Sequence, residues 1–217
     1  MLSGVVMEYL VYPLLGVVVG LLAGLLGVGG GIVTVPVLIF AFHWSGVSPA
    51  VLTHMAVATS LAIIVITSFG SVWQHNKRGA VRWDILLWML LGLVVGALVG
   101  TEVANFLQGR ILQLLFGGFA ILMATQMAIG FEPRPGRGIP SGIVLWFCGL
   151  ATGVISALFG IGGGSLMVPF LVWCNVKMPE AVGTSSAGGI PIAVAGSLGF
   201  VITSWGDPDL PRYSLGD

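Results

Sequence analysis

Charge is what this sequence has least of. Only 7% of its 217 residues are Asp, Glu, Lys or Arg, against about 25% in ordinary soluble domains. The basic and acidic residues cancel to a formal net charge of zero, so no nucleic-acid or acidic partner is expected. Cysteine is scarce too. Cys148 and Cys174 lie in apolar surroundings with no CxxC or metal-ligand spacing, which reads as packing rather than chemistry. Also missing are the nucleotide-binding GxxxxGK[ST] stretch and the GxSxG and HExxH patterns of hydrolases. No catalytic residue, cofactor or metal is therefore assigned, and an enzyme is not expected.

What fills the space is apolar: 57% of residues are hydrophobic and the mean hydropathy is +1.07. Such a composition belongs in a bilayer. No charge falls between Glu8 and Lys77, or between Arg137 and Lys177, and about 20 apolar residues suffice to cross the hydrocarbon as a helix. Six apolar segments follow, at about 10–42, 50–73, 84–106, 110–130, 141–174 and 180–204. All are predicted helical, because a lipid-facing backbone must satisfy its own hydrogen bonds and no alternating strands of about 10 residues are visible. Most tryptophans mark segment ends, as an interfacial belt requires.

The first apolar run has no Lys or Arg before it and outlasts a signal-peptide core, so it is expected to be a retained span. Lys77, Arg78 and Arg82 in one loop, and Arg134 and Arg137 in another, place those loops in the cytoplasm by the positive-inside bias. If each segment crosses once, the N-terminus is cytoplasmic and the first and fifth segments run in the same direction. A parallel rather than an inverted repeat is expected on that count.

The repeat is written in glycine. "GLLGVGGGIVTVPVL" at 24–38 returns as "SALFGIGGGSLMVPFL" at 156–171. An offset of 133 aligns Gly29, Gly30 and Gly31 with Gly162, Gly163 and Gly164, and Pro36 with Pro169; an offset of 125 then aligns Thr59-Ser60 with Thr184-Ser185. Gly16, Gly20 and Gly24, their counterparts Gly149, Gly153 and Ala157, and Gly92, Gly96 and Gly100 recur every fourth residue, a spacing that lets helix backbones approach closely. The triplets need another explanation, since three adjacent positions point around a helix. Each interior Gly is worse than Ala by about 1 kcal/mol and an interior Pro by about 3 kcal/mol. An interrupted helix is expected at each GxGGG.

Broken backbone at membrane depth survives only where protein or a water-filled cavity surrounds it. A half-helix starting there turns main-chain N–H groups and a positive dipole end inward, and the glycines admit close contact. That arrangement suits a small anion. With no Lys or Arg in these spans, hydroxyls must assist: Thr34 and Ser165 beside the breaks, and Thr59, Ser60, Thr184 and Ser185. The bland alternative is that these hydroxyls bond to their own helix carbonyls and the glycines only pack. His54 and Glu102 are the ionisable groups that a proton-coupled step would use.

With these motifs assembled, the sequence resembles the TauE/SafE family of membrane permeases, the sulfite exporters. GxGGGxxxVP in each half, "VATSL" at 57–61, "VGTSS" at 182–186 and the "KRGAVRWD" loop at 77–84 carry the resemblance, which covers nearly the whole chain. It implies a polytopic carrier of small sulfur-containing anions such as sulfite; the absence of a GxxxxGK[ST] stretch leads to the expectation that an ion gradient rather than ATP drives it. The expected fold is an all-α transmembrane bundle in the inner membrane, with residues 1–130 a four-span repeat and 131–217 a second. Family members usually have about eight spans; the spans at 84–106 and 110–130 have no counterpart after "LPRYSLGD". Completion by a second copy in a homodimer is one expectation from that shortage. The competing classes are a non-transporting membrane subunit and an intramembrane enzyme built on Ser165.

Overall fold

The computed structural model describes residues 16–21, 30–129 and 138–205. Residues 16–21 are helical, and seven longer helices follow: α1 Gly30–Trp44, α2 Leu52–Lys77, α3 Trp83–Phe106, α4 Gly109–Ile129, α5 Gly142–Phe159, α6 Gly164–Trp173 and α7 Met178–Thr203. No strand occurs among the described residues. Five helices, α2, α3, α4, α5 and α7, are long and apolar enough to cross a membrane. Trp73 and Trp83 at one end and Trp44 and Trp205 at the other are all exposed, where lipid headgroups meet the rings.

The scaffold is the α3–α5 pair. These helices run in the same direction: Gly142 faces Trp88, Gly149 faces Met89 and Leu93, and Gly153 faces Leu93 and Ala97. A methyl group at Gly92, Gly96, Gly149 or Gly153 would push into the main chain of the opposite helix. The four-residue glycine spacing thus acts here as a packing surface, bringing two backbones closer than Ala allows.

Four of the five described Lys and Arg residues mark one end of the bundle; Arg110, at the start of α4, lies at the other. Lys77, Arg78 and Arg82 lie at the basic end, and so does Lys177, because the turn before α7 is held against the α2–α3 loop. The Arg82 amide donates to Thr184 Oγ1 at 2.9 Å, and Gly183 lies directly under the Ala80 carbonyl. The Arg82 side chain reaches Asp84 through two bonds, at 2.9 and 2.7 Å, and Glu180 at 3.4 Å. The Asp84 bonds raise the guanidinium above its ordinary pKa, so it remains charged at every relevant pH.

One expectation is overturned at this point. The fifth apolar segment does not cross once; it is a hairpin. α5 rises from the basic end, the chain breaks at 160–163, and α6 returns. Its direction is set by packing: Gly162 lies beside Gly189 and Met167 beside Gly188, while Leu171 and Val176 share a buried cluster with Ala181, Val81, Ile85 and Leu145. α7 therefore starts at the same end as α5. It runs antiparallel to α2, with Ser186 against Ser71, Gly189 against Ser68 and Gly196 against Leu61. The "VATS" and "VGTS" segments accordingly lie on oppositely directed helices. The copies are inverted, not parallel, because the single-crossing assumption assigned the wrong direction to everything after residue 160.

Candidate functional site: a hydroxyl-lined cavity beside the glycine break

The break is built by backbone conformation. Gly160 takes φ 67° and ψ 35° and closes α5, its N–H returning to the Ser156 carbonyl. The Ile161 N–H reaches the same carbonyl at 2.8 Å, so the helix end is capped by a left-handed residue in the usual way. Gly163 takes φ 77° and starts α6, its carbonyl accepting from the Leu166 and Met167 amides at 3.2 and 2.8 Å. A side chain at either glycine would be strained, which explains why helix and glycine alternate here. Pro169, inside α6, removes the donor that a continuous helix would offer to Ser165.

The two motif copies meet at this point. Gly31 of α1 abuts the Gly160 carbonyl and the Ile161 Cα, and Gly160 in turn packs on Val35 and Val57. From α2, the buried Ser60 hydroxyl donates to the Gly160 carbonyl at 2.8 Å. That bond satisfies an acceptor freed by the break, which buried without a partner would cost about 1–3 kcal/mol. Gly29, together with the rest of 22–29, lies outside the described residues, so the first GxGGG is described only from Gly30 onward.

Beside this crossing lies a cavity of about 680 Å³. Gly30, Thr34, Thr59, Gly162, Gly164 and Ser185, six of the residues expected from the sequence, line it. The others are elsewhere. Gly31 and Ser60 hold the crossing, and Gly163 faces Ile192. Thr184 is fully buried and receives the Arg82 amide, and Ser165 does not line the cavity. Four further hydroxyls do, and sequence reasoning missed them: Thr67, Ser68, Ser71 and Ser186. The signal was the recurrence of hydroxyls at 59, 67 and 71 on one face of an otherwise apolar helix.

Which of these hydroxyls can give a proton is decided by their present bonds. Thr34 donates to the Gly30 carbonyl at 2.7 Å, Thr67 to Ile63 at 3.1 Å and Ser185 to Val182 at 3.0 Å. For these three the bland alternative holds, and each offers the cavity only lone pairs. Ser71 and Ser186 share one bond at 3.2 Å, leaving one proton of that pair uncommitted. Thr59 and Ser68 make no hydrogen bond to any described residue. At the start of α6, no described residue lies within 4 Å of a methyl group placed on Gly164.

The ionisable candidates are not at the cavity. His54 Nε2 lies 2.9 Å from the Ala104 carbonyl, an acceptor, so Nε2 carries the proton and the ring ties α2 to α3. Glu102 is exposed. Among the described residues no group of His, Cys, Asp or Glu could hold a metal ion.

An all-helical membrane bundle with a broken helix beside a largely apolar cavity that carries hydroxyls fits a class, that of polytopic membrane transport proteins. Comparison with known proteins narrows it. The profile described as Sulfite exporter TauE/SafE matches residues 12–213, and the chain belongs to that family. A probable membrane transporter protein of Haemophilus influenzae is 32% identical over 216 residues, covering 94% of this chain and 77% of the relative. Probable membrane transporter protein MJ0441 of Methanocaldococcus jannaschii is 35% identical over 198 residues, covering 87% and 72%. Probable membrane transporter protein YunE of Bacillus subtilis is 30% identical over 199 residues, covering 82% and 73%. No solved structure gives a significant match. The chain is a multi-pass membrane transporter.

Proposed function

We propose that this transporter carries a small anion, sulfite or a related sulfur oxyanion, across the inner membrane, and that the anion binds in the cavity beside Gly162 and Gly164. The observation that supports this reading is the meeting, at one cavity, of the start of α6 with hydroxyls, Thr59 and Ser68, that bond to no described residue. The family's description supplies the sulfur chemistry. The basic end faces the cytoplasm on this reading, by the charge bias of its loops, and an ion gradient drives the cycle. Neutral donors hold an anion firmly enough to select it and loosely enough to release it.

The test is uptake of labelled sulfite into proteoliposomes. Gly164→Val puts a branched side chain where no described residue stands within 4 Å; the protein is expected to fold and to lose uptake at least tenfold. Undiminished uptake by that variant would remove the cavity from the mechanism.

A further inference from the structure

The cavity's wall chemistry also constrains the charge of what it takes. We infer that the site selects monovalent anions, so that sulfite enters as hydrogensulfite and divalent oxyanions of the same shape are refused. This inference rests on the anion-carrier reading and goes one step further, to the protonation state of the substrate.

Two observations carry it. First, none of the described residues lining the cavity is Asp, Glu, Lys, Arg or His, and the sequence of residues 22–29 contains no charge either. The cost of moving an ion out of water rises with the square of its charge. A dianion is accommodated in such a place only by a cation or a dense set of charge-assisted bonds. Second, the supply of donors is short. Thr34, Thr67 and Ser185 have given their protons to main-chain carbonyls, which leaves, among the described hydroxyls, Thr59, Ser68 and one proton of the Ser71–Ser186 pair beside the neutral main-chain N–H groups at the start of α6.

An acceptor also lies close to one of these donors. Ser68 Oγ and the Gly162 carbonyl both approach Gly189, at 3.3 and 2.8 Å from where its methyl would stand. A carbonyl oxygen beside the donors repels added negative charge but welcomes an O–H. A monoprotonated oxyanion offers both kinds of group to a wall that has both.

Hydrogensulfite loses its one proton, giving sulfite, near neutral pH, which makes the inference measurable. Initial uptake into proteoliposomes is followed at fixed total sulfite between pH 6 and about pH 8.5, with the driving gradient clamped. Competition by methanesulfonate, monovalent at all these values, and by sulfate, divalent throughout, is measured alongside. The apparent KM for total sulfite is expected to rise about tenfold per pH unit above the substrate's own pKa, while KM counted as hydrogensulfite stays constant. Methanesulfonate should compete equally at every pH, and a tenfold excess of sulfate should not compete.

Ser68→Lys places a cation on the wall and is expected to let sulfate compete; sulfate protection in a thermal melt reports the same gain if that variant does not transport. Competition by sulfate in the unaltered protein, or a KM that falls as pH rises, overturns the charge inference while leaving an anion carrier. If neither sulfite nor methanesulfonate is carried or bound at any pH, the anion reading itself fails, and this inference with it.

Discussion

At the scale of single residues, adjacent glycines in one motif serve different ends. Gly163 is required by conformation: φ is 77°, and a methyl group would stand 2.9 Å from Ile192 Cδ1. Gly164 is the first residue of α6, and no described residue lies within 4 Å of a methyl group placed on it. Gly163→Ala should therefore lower stability by about 1–2 kcal/mol, the cost of a left-handed non-glycine residue, read as an earlier thermal melt in detergent. Gly164→Ala should melt within about 0.5 kcal/mol of the parent and still weaken sulfite uptake. Equal melting shifts for the two would contradict this division of labour. A comparable split divides the paired hydroxyls. Ser60 and Ser185 occupy matched positions, yet Ser60 secures the break in the other copy and Ser185 looks into the cavity. Motif matching assigned both to a ligand, since spacing states which residues correspond and not which atom each one touches.

At the scale of elements, the helices and their interruption were legible because hydropathy, Gly and Pro act locally. Segments expected at 50–73, 84–106 and 110–130 appear as α2, α3 and α4 with ends moved by a few residues. The direction of α6 was not legible. An apolar run from 141 to 174 is long enough for a kinked crossing or for a hairpin, and what decides is remote: Leu171 and Ala181 buried with Val81 and Ile85. The cavity hydroxyls of α2 escaped notice for a similar reason, being parts of a face rather than of a motif. The α3–α5 pair allows a sharper check. Gly96 lies under the Leu150 carbonyl, so Gly96→Val must drive the helices apart, and overpacking of this kind costs about 1–3 kcal/mol or more. The expected result is a lower melting temperature and reduced yield, whereas Gly117→Val, with no described residue within 4 Å, should be silent. If Gly96→Val melts with the parent, the close approach of these backbones is wrong.

At the scale of the whole molecule, topology can be read by labelling. In a background with Cys148 and Cys174 replaced by Ala, single cysteines at Gly79, Lys177 and Gly46 report which face each loop occupies. The hairpin requires Gly79 and Lys177 to react with an impermeant maleimide from one side and Gly46 from the other. Labelling of positions 79 and 177 from opposite faces would restore a single crossing at 141–174 and undo the inverted arrangement.

That arrangement bears on how such a protein could work without large moving parts. α1 leads from the glycine crossing to one face of the bilayer and α6 leads from it to the other, each followed by a long helix travelling back. Were the two arms to trade shapes, the hollow now beside α1 would reappear beside α6, opening toward the opposite compartment. The chain spells nearly the same instruction twice, pointing once up and once down, and so supplies two doorways to one room.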